Sequence, residues 1–225
     1  MTRLVLLASP LLGPAVWRPA AERLVAAGHR VSVPALSAAV TSPADVVGGL
    51  LAQLPAGESL VLVPHSNAGL YVAALAAAGS VEAVVFVDAG LPSRAPRTPA
   101  APASLREHLA SLADPEGLLP PWTRWWPAAD LDELFPDAGA RAAVERDERR
   151  LPLSYFAADV PTPAGWERLP AAYLSFGDTY AEERAEAVAR GWPTDVLPGR
   201  HLHQLVDPAG VAEAVLRLLE EARRD

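Results

Sequence analysis

The chain of 225 residues is long enough for one domain with a substantial core, and its formal net charge of −8 argues against nucleic acid and anionic membranes as partners. It has no cysteine, which excludes thiol catalysis, disulfides and thiolate metal sites. All 19 basic residues are arginine, so lysine Schiff-base and Walker-lysine chemistry are excluded too, and no apolar run reaches the ~18 residues of a membrane helix.

The first apolar run, residues 4–12, follows a single Arg and could pass for the core of a secretory signal spanning 1–16. A central strand over 3–8 is the better reading, because its loss would gut the sheet; the expected location is cytoplasmic. A helix follows over 17–27, with Pro19 in its first turn and Gly28 at its end. Residues 29–34 form the next strand. Ser42-Pro43-Ala44-Asp45 then opens a helix with a capping box, whose apolar face holds Val47, Leu50, Leu51 and Leu54.

The chain is organised around Leu60-Val61-Leu62-Val63-Pro64-His65-Ser66-Asn67-Ala68-Gly69-Leu70-Tyr71. Residues 60–63 are continuously apolar, as in a strand covered on both faces. Residues 67–78 are Ala-rich and end at Gly79, which suits a closely packed helix with a glycine cap. So tight a strand-to-helix turn strains its central residue and pushes the Ser66 side chain out above the sheet. Ala68 and Gly69 are small because the helix must pass close to the strand. The free N–H groups beyond Ser66 can meet a developing oxyanion. A serine before a helix is also an ordinary N-cap. In this context the segment resembles the nucleophile elbow G-x-S-x-G of the α/β-hydrolase superfamily, with Pro64 and Ala68 in place of its glycines.

Residues 83–88 form another buried strand, ending in Asp88. Strands alternating with helices imply parallel βαβ units, with the second strand at one edge, then the first, third and fourth. The alternation breaks at 90–170, which is too long for one crossover. Residues 94–102 look like a linker, and 104–112, 129–135 and 138–150 look helical. Between them lies Leu119-Pro120-Pro121-Trp122-Thr123-Arg124-Trp125-Trp126-Pro127. The insert reads as a helical lid over the strand ends, where α/β sheets bind ligands. Packing and ligand contact both account for Trp122, Trp125 and Trp126; with Tyr155 they are the candidate pocket residues. Two more strands, over 171–176 and 193–197, precede a last helix that starts at Asp207-Pro208. The expected fold is α/β: a mostly parallel six-stranded sheet with helices on both faces, one domain over 1–225, and the lid inserted at about 90–170.

A base is needed, and histidine is the natural one at neutral pH. His29 begins a strand, His108 sits on a lid helix, and His65 precedes the nucleophile and is aimed elsewhere. The remaining pair lies in Gly199-Arg200-His201-Leu202-His203-Gln204-Leu205-Val206-Asp207-Pro208. This stretch resembles the end of the salicylate and methyl-jasmonate esterases and the hydroxynitrile lyases. There the catalytic His is followed four residues on by an apolar residue and seven on by Pro. The resemblance implies His201 as the base, with Leu205 and Pro208 in register, and leaves His203 to line the pocket. His-x-His is also a metal pattern, but no third ligand is evident, so no metal or cofactor is expected.

Two positions depart from the resemblance. Pro10 stands where the esterases supply an oxyanion N–H, and proline has none. The loop then leaves Leu11 to donate, paired with Asn67. The second departure is the acid that orients the base. Most members carry it after the penultimate strand, which here reads Phe176-Gly177-Asp178-Thr179-Tyr180. Three beyond Gly177 is Tyr180, the ungapped match gives Thr179, and neither is an acid; Asp178 is off register. Asp88 lies 22 residues after Ser66, in a stretch that resembles the polyketide-synthase thioesterases, which keep their acid at this strand end. Asp88 is the preferred acid and Asp178 the alternative. Together these residues imply a serine hydrolase acting on an ester or thioester of a largely apolar small molecule. A lyase or cyclase on the same fold, or a silent binding protein, are the rival readings. The expected partner is a small-molecule substrate, with a homodimer also admitted.

Overall fold

The apolar runs of the sequence become the middle of a sheet. A computed structural model describes residues 2–224; the end residues of the expected domain, 1 and 225, lie outside the described residues. The strands are β1 (Thr2–Leu7), β2 (Arg30–Ser32), β3 (Ser59–Ser66), β4 (Val81–Ala89), β5 (Arg97–Pro99), β6 (Asp159–Pro161), β7 (Ala171–Phe176) and β8 (Thr194–Leu197). The helices are α1 (Arg18–Ala26), α2 (Pro43–Leu51), α3 (Val72–Ala78), α4 (Ala103–Leu112), α5 (Ala128–Asp132), α6 (Ala138–Asp147), α7 (Leu153–Ala157), α8 (Ala181–Ala189), α9 (His203–Val206) and α10 (Pro208–Ala222).

Six strands form one parallel sheet in the order β2-β1-β3-β4-β7-β8. The expected order of the first four strands stands, and the two late strands extend the sheet beyond β4. Central strands β3, β4 and β7 are buried on both faces, which is why their sequences run apolar without alternation. Helices cover both faces, with α10 packed across β4 and β7 and against α1. Local signals placed several helix starts. Ser42 and Asp45 form the capping box of α2, and the Asp207 side chain caps α10 through Gly210 N. Among the described residues no helix is long and apolar enough to cross a membrane.

Three expectations need correction. The stretch 94–102 is no linker: β5 pairs antiparallel with β6, and Thr98 Oγ1 meets Thr162 Oγ1 at 2.7 Å. A two-stranded ribbon tolerates its prolines because an edge strand needs only half its N–H groups. The helix expected over 138–150 stops at Asp147, because Glu148 turns extended and its carboxylate accepts from Thr123 N and Oγ1 at 2.8 and 2.9 Å. Gly79 closes α3 in an extended conformation, φ −130° and ψ 172°, rather than as a left-handed cap.

Candidate active site

β3 ends at Ser66, and the chain passes directly into a 3-10 turn over Asn67–Tyr71 before α3 begins. Ser66 occupies the corner at φ 59° and ψ −135°, a strained conformation for a residue with a Cβ. Its neighbours hold it there. Ala68 is fully buried, and a Cβ on Gly69 would lie 1.9 Å from the carbonyl oxygen of Gly90. The β3–β4 register shifts between His65 and Ser66, and Gly90 N donates to Ser66 O at 3.1 Å.

The corner is tied to two other strand ends. Ser66 Oγ lies 3.0 Å from His201 Nε2, and His201 Nδ1 lies 2.6 Å from Asp88 Oδ2. Asp88 closes β4 at φ 42°, and its second carboxylate oxygen accepts from Phe176 N at 3.0 Å. The carboxylate is fully buried, so these two partners stand in for its lost water. Behind it, Tyr173 of β7 grips the next residue: its hydroxyl donates to Ala89 O at 2.7 Å and accepts from Ala89 N at 3.1 Å. Asp178 is elsewhere. Gly177 turns left-handed at φ 70°, and the Asp178 side chain swings into solvent, 90% exposed, 3.4 Å from Arg184.

His65 supports His201 from below. Its Nε2 donates to the His201 carbonyl at 2.8 Å, and the two rings stack at 4.5 Å. Burial, and then the neighbouring His201, hold the His65 imidazole well below its ordinary pKa, so it stays neutral.

The two expected oxyanion donors stand differently. Asn67 opens its turn, so its N–H has no partner within that turn. Leu11 N points at Ser9 Oγ within its own loop, at 3.4 Å. That loop is clamped by a device with no sequence signal. Asp147 accepts from Ala15 N at 2.9 Å and presses on Gly13, where a Cβ would meet it at 2.8 Å. Arg149 N donates to Leu11 O at 3.0 Å, and its guanidinium reaches the Pro10, Leu36 and Ser37 carbonyls.

The strand ends open into a cavity of about 1410 Å³, lined by Leu11, Ser66, Trp122, Trp125, Trp126 and Phe156 among others. Trp122 faces the His201 ring at 6.2 Å, and Trp126 stacks on the exposed His108 at 5.6 Å. Trp125 is fixed by a bond from its Nε1 to Pro120 O at 2.9 Å and packs edge-on to Phe156. Two expected pocket residues lie outside the cavity wall. Tyr155 is buried beneath the elbow, where its hydroxyl pairs with Tyr71 and donates to Asn67 Oδ1 at 2.9 Å. Helical rotation hands the wall to its neighbour Phe156. His203 begins α9 and stands edge-on to Phe176 at 5.4 Å, its ring against Gly199. A step of two residues through this turn parts its side chain from that of His201. Among the described residues no group of three His, Cys, Asp or Glu could hold a metal ion.

Neither a family model nor a curated relative matches the chain. Solved structures do. An extracellular α/β-hydrolase from a Paenibacillus species, described as sharing structural and functional homology with tobacco salicylic acid binding protein 2, superposes with TM-score 0.72 at 17% identity over 100% of both chains. A pyrethroid hydrolase gives 0.71 at 20% identity, again over 100% of both chains. Polyneuridine aldehyde esterase gives 0.70 at 18% identity over 97% of this chain and 99% of the other. The chain has the α/β-hydrolase fold.

In an α/β-hydrolase sheet the strand ends face the ligand, which makes one more residue notable. Tyr180, in sequence only a landmark three past Gly177, brings its hydroxyl to 3.2 Å from Ser66 Oγ. Its ring leans on His201 at 5.6 Å. Burial raises this phenol well above its ordinary pKa, so it is a neutral hydrogen-bond donor.

Proposed function

We propose that this α/β-hydrolase-fold chain is a serine hydrolase that cleaves an ester or thioester of a largely apolar acyl group through an acyl-enzyme. The observation that carries it is the unbroken line Asp88–His201–Ser66 opening on a cavity walled by Trp122, Trp125 and Trp126. Ser66 attacks the acyl carbon while His201 takes its proton, and Asp88 holds the imidazole in the tautomer that leaves Nε2 free to accept. The N–H of Asn67, with that of Leu11 turned from Ser9, meets the oxyanion. The segment between β4 and β7 covers the acyl group as a lid inserted in a single domain. The Paenibacillus protein, the pyrethroid hydrolase and polyneuridine aldehyde esterase are hydrolases or esterases by title, which supports the same reaction class here.

The test is intact-mass analysis after a fluorophosphonate probe. One adduct is expected on the native chain, none on Ser66→Ala and far less on His201→Ala. An adduct that persists on Ser66→Ala overturns the assignment. The second reading, a lyase or cyclase in which Ser66 and His201 only move protons, draws on Pro10, which removes one N–H from the oxyanion loop; it requires turnover without a trappable acyl-enzyme.

A further inference from the structure

Among the described residues the Ser66 hydroxyl has two hydrogen-bonding partners, and only one belongs to the line through Asp88. His201 Nε2 lies 3.0 Å from Ser66 Oγ; the Tyr180 hydroxyl lies 3.2 Å from the same oxygen. Sheet order fixes their sides. Leu11 follows β1, on one flank of β3, whereas Tyr180 follows β7, two strands away on the other flank. Leu11 and Tyr180 therefore lie on opposite flanks of Ser66, with Asn67 directly after the serine itself. Tyr180 shares the flank of His201, whose ring lies 5.6 Å from its own at an angle of 36°. That is the flank from which an imidazolium returns a proton to the leaving group.

We propose that the Tyr180 hydroxyl donates a hydrogen bond to the leaving-group atom, and that the substrate is therefore an oxygen ester rather than a thioester. This rests on Ser66 being the nucleophile. In acylation a lone pair of Ser66 Oγ forms the bond to the acyl carbon as its proton passes to His201 Nε2. The bond from that carbon to the alkoxy oxygen breaks, its electron pair stays on the oxygen, and that oxygen takes the proton from His201. The Tyr180 O–H turns from Ser66 Oγ to the departing oxygen and keeps its own proton throughout. Water then attacks the acyl-enzyme, giving up a proton through His201 to Ser66, and a carboxylic acid leaves after the alcohol. An alkoxy oxygen gathering charge is a strong acceptor, whereas sulfur is a weak one. The same hydroxyl gives a departing thiolate little.

The test compares butyl hexanoate with its S-butyl thioester, read as kcat/KM, which reports acylation. The native chain is expected to favour the oxygen ester by about tenfold or more, although the thiol is the better leaving group. Tyr180→Phe keeps the ring and loses the hydroxyl. It should lower kcat/KM for the oxygen ester by roughly 10–100-fold and for the thioester by less than about threefold. An equal loss on both substrates would make Tyr180 a holder of Ser66 and overturn the proposal, as would no loss on either. Should Tyr180→Phe fail to fold, the native preference decides alone, and a native chain faster on the thioester overturns it. Fluorophosphonate labelling of the native chain separates the two failures: labelling with the wrong ester preference sinks only the role of Tyr180, whereas no labelling and no turnover sink the nucleophile as well.

Discussion

The ends of β4 and β7 lie side by side and carry opposite solutions to one problem. β4 closes on Asp88, strained at φ 42°, fully buried and bonded to His201. β7 closes on Gly177, whose left-handed turn throws Asp178 into solvent and brings Tyr180 back over Ser66. The two ends are linked, since Phe176 N of β7 donates to Asp88 and Tyr173 of β7 holds Ala89 of β4. The difference teaches that the β4 end, and not the β7 end, supplies the carboxylate partner of His201. With β4 supplying it, the β7 end brings a neutral hydroxyl to Ser66 instead.

The sharpest way to break this comparison is to neutralise each acid in turn. Asp88→Asn should lower kcat by up to ~10⁴, because an amide favours the wrong imidazole tautomer, with little change in melting temperature. Asp178→Asn should stay within about twofold of the native chain, since it loses only an exposed ion pair. Loss of activity in Asp178→Asn alone would reverse the roles of the two strand ends.

A smaller effect should follow from cutting the link between them. Tyr173→Phe strips Ala89 of both its hydrogen bonds to Tyr173 in a buried setting, a loss of about 1–3 kcal/mol, or roughly 2–12 °C in Tm for a chain of this size. Activity should fall with it, by less than in Asp88→Asn, because the strained conformation of Asp88 loses its anchor. Calorimetry beside kcat checks this; an unchanged Tm would show that Tyr173 does not hold the β4 end.

The smallest effect concerns Glu183, on α8 just past the β7 end. Burial, together with its acidic neighbours Glu182, Glu186 and Asp88, raises this carboxyl above its ordinary value of 4.5. Unlike Asp88, it is paired with no histidine among the described residues. A raised folded pKa means that the folded chain binds this proton more tightly than the unfolded chain. The stability contributed by Glu183 is therefore full below pH 4.5 and is lost as pH rises through the raised value. Glu183→Gln should raise Tm at pH 7 and leave it unchanged at pH 4. An equal shift at both pH values would trace the change to packing instead of charge.

Much of the fold was legible in the chain because its signals are local. The apolar runs, the caps at Ser42 and Asp207, and the alternation of strand and helix are set by neighbours a few residues apart, and they carried the order of the first four strands. The small residues Ala68 and Gly69 announced a tight corner at Ser66, since only a helix pressed against a strand needs them. What the chain alone left undecided depends on contacts between distant segments. Asp88 and Asp178 were both open, because one left-handed turn at Gly177 and one bond from Phe176 N, 88 residues from its acceptor, separate them. Tyr155 and His203 were expected at the pocket and lie behind it, because the rotation of a short helical turn decides which neighbour faces in. Tyr180, the clamp of Asp147 and Arg149 on the first loop, and the pairing of β5 with β6 leave no pattern in a linear sequence. Their partners meet only when the sheet brings its strand ends together, and that juxtaposition is a property of the tertiary structure.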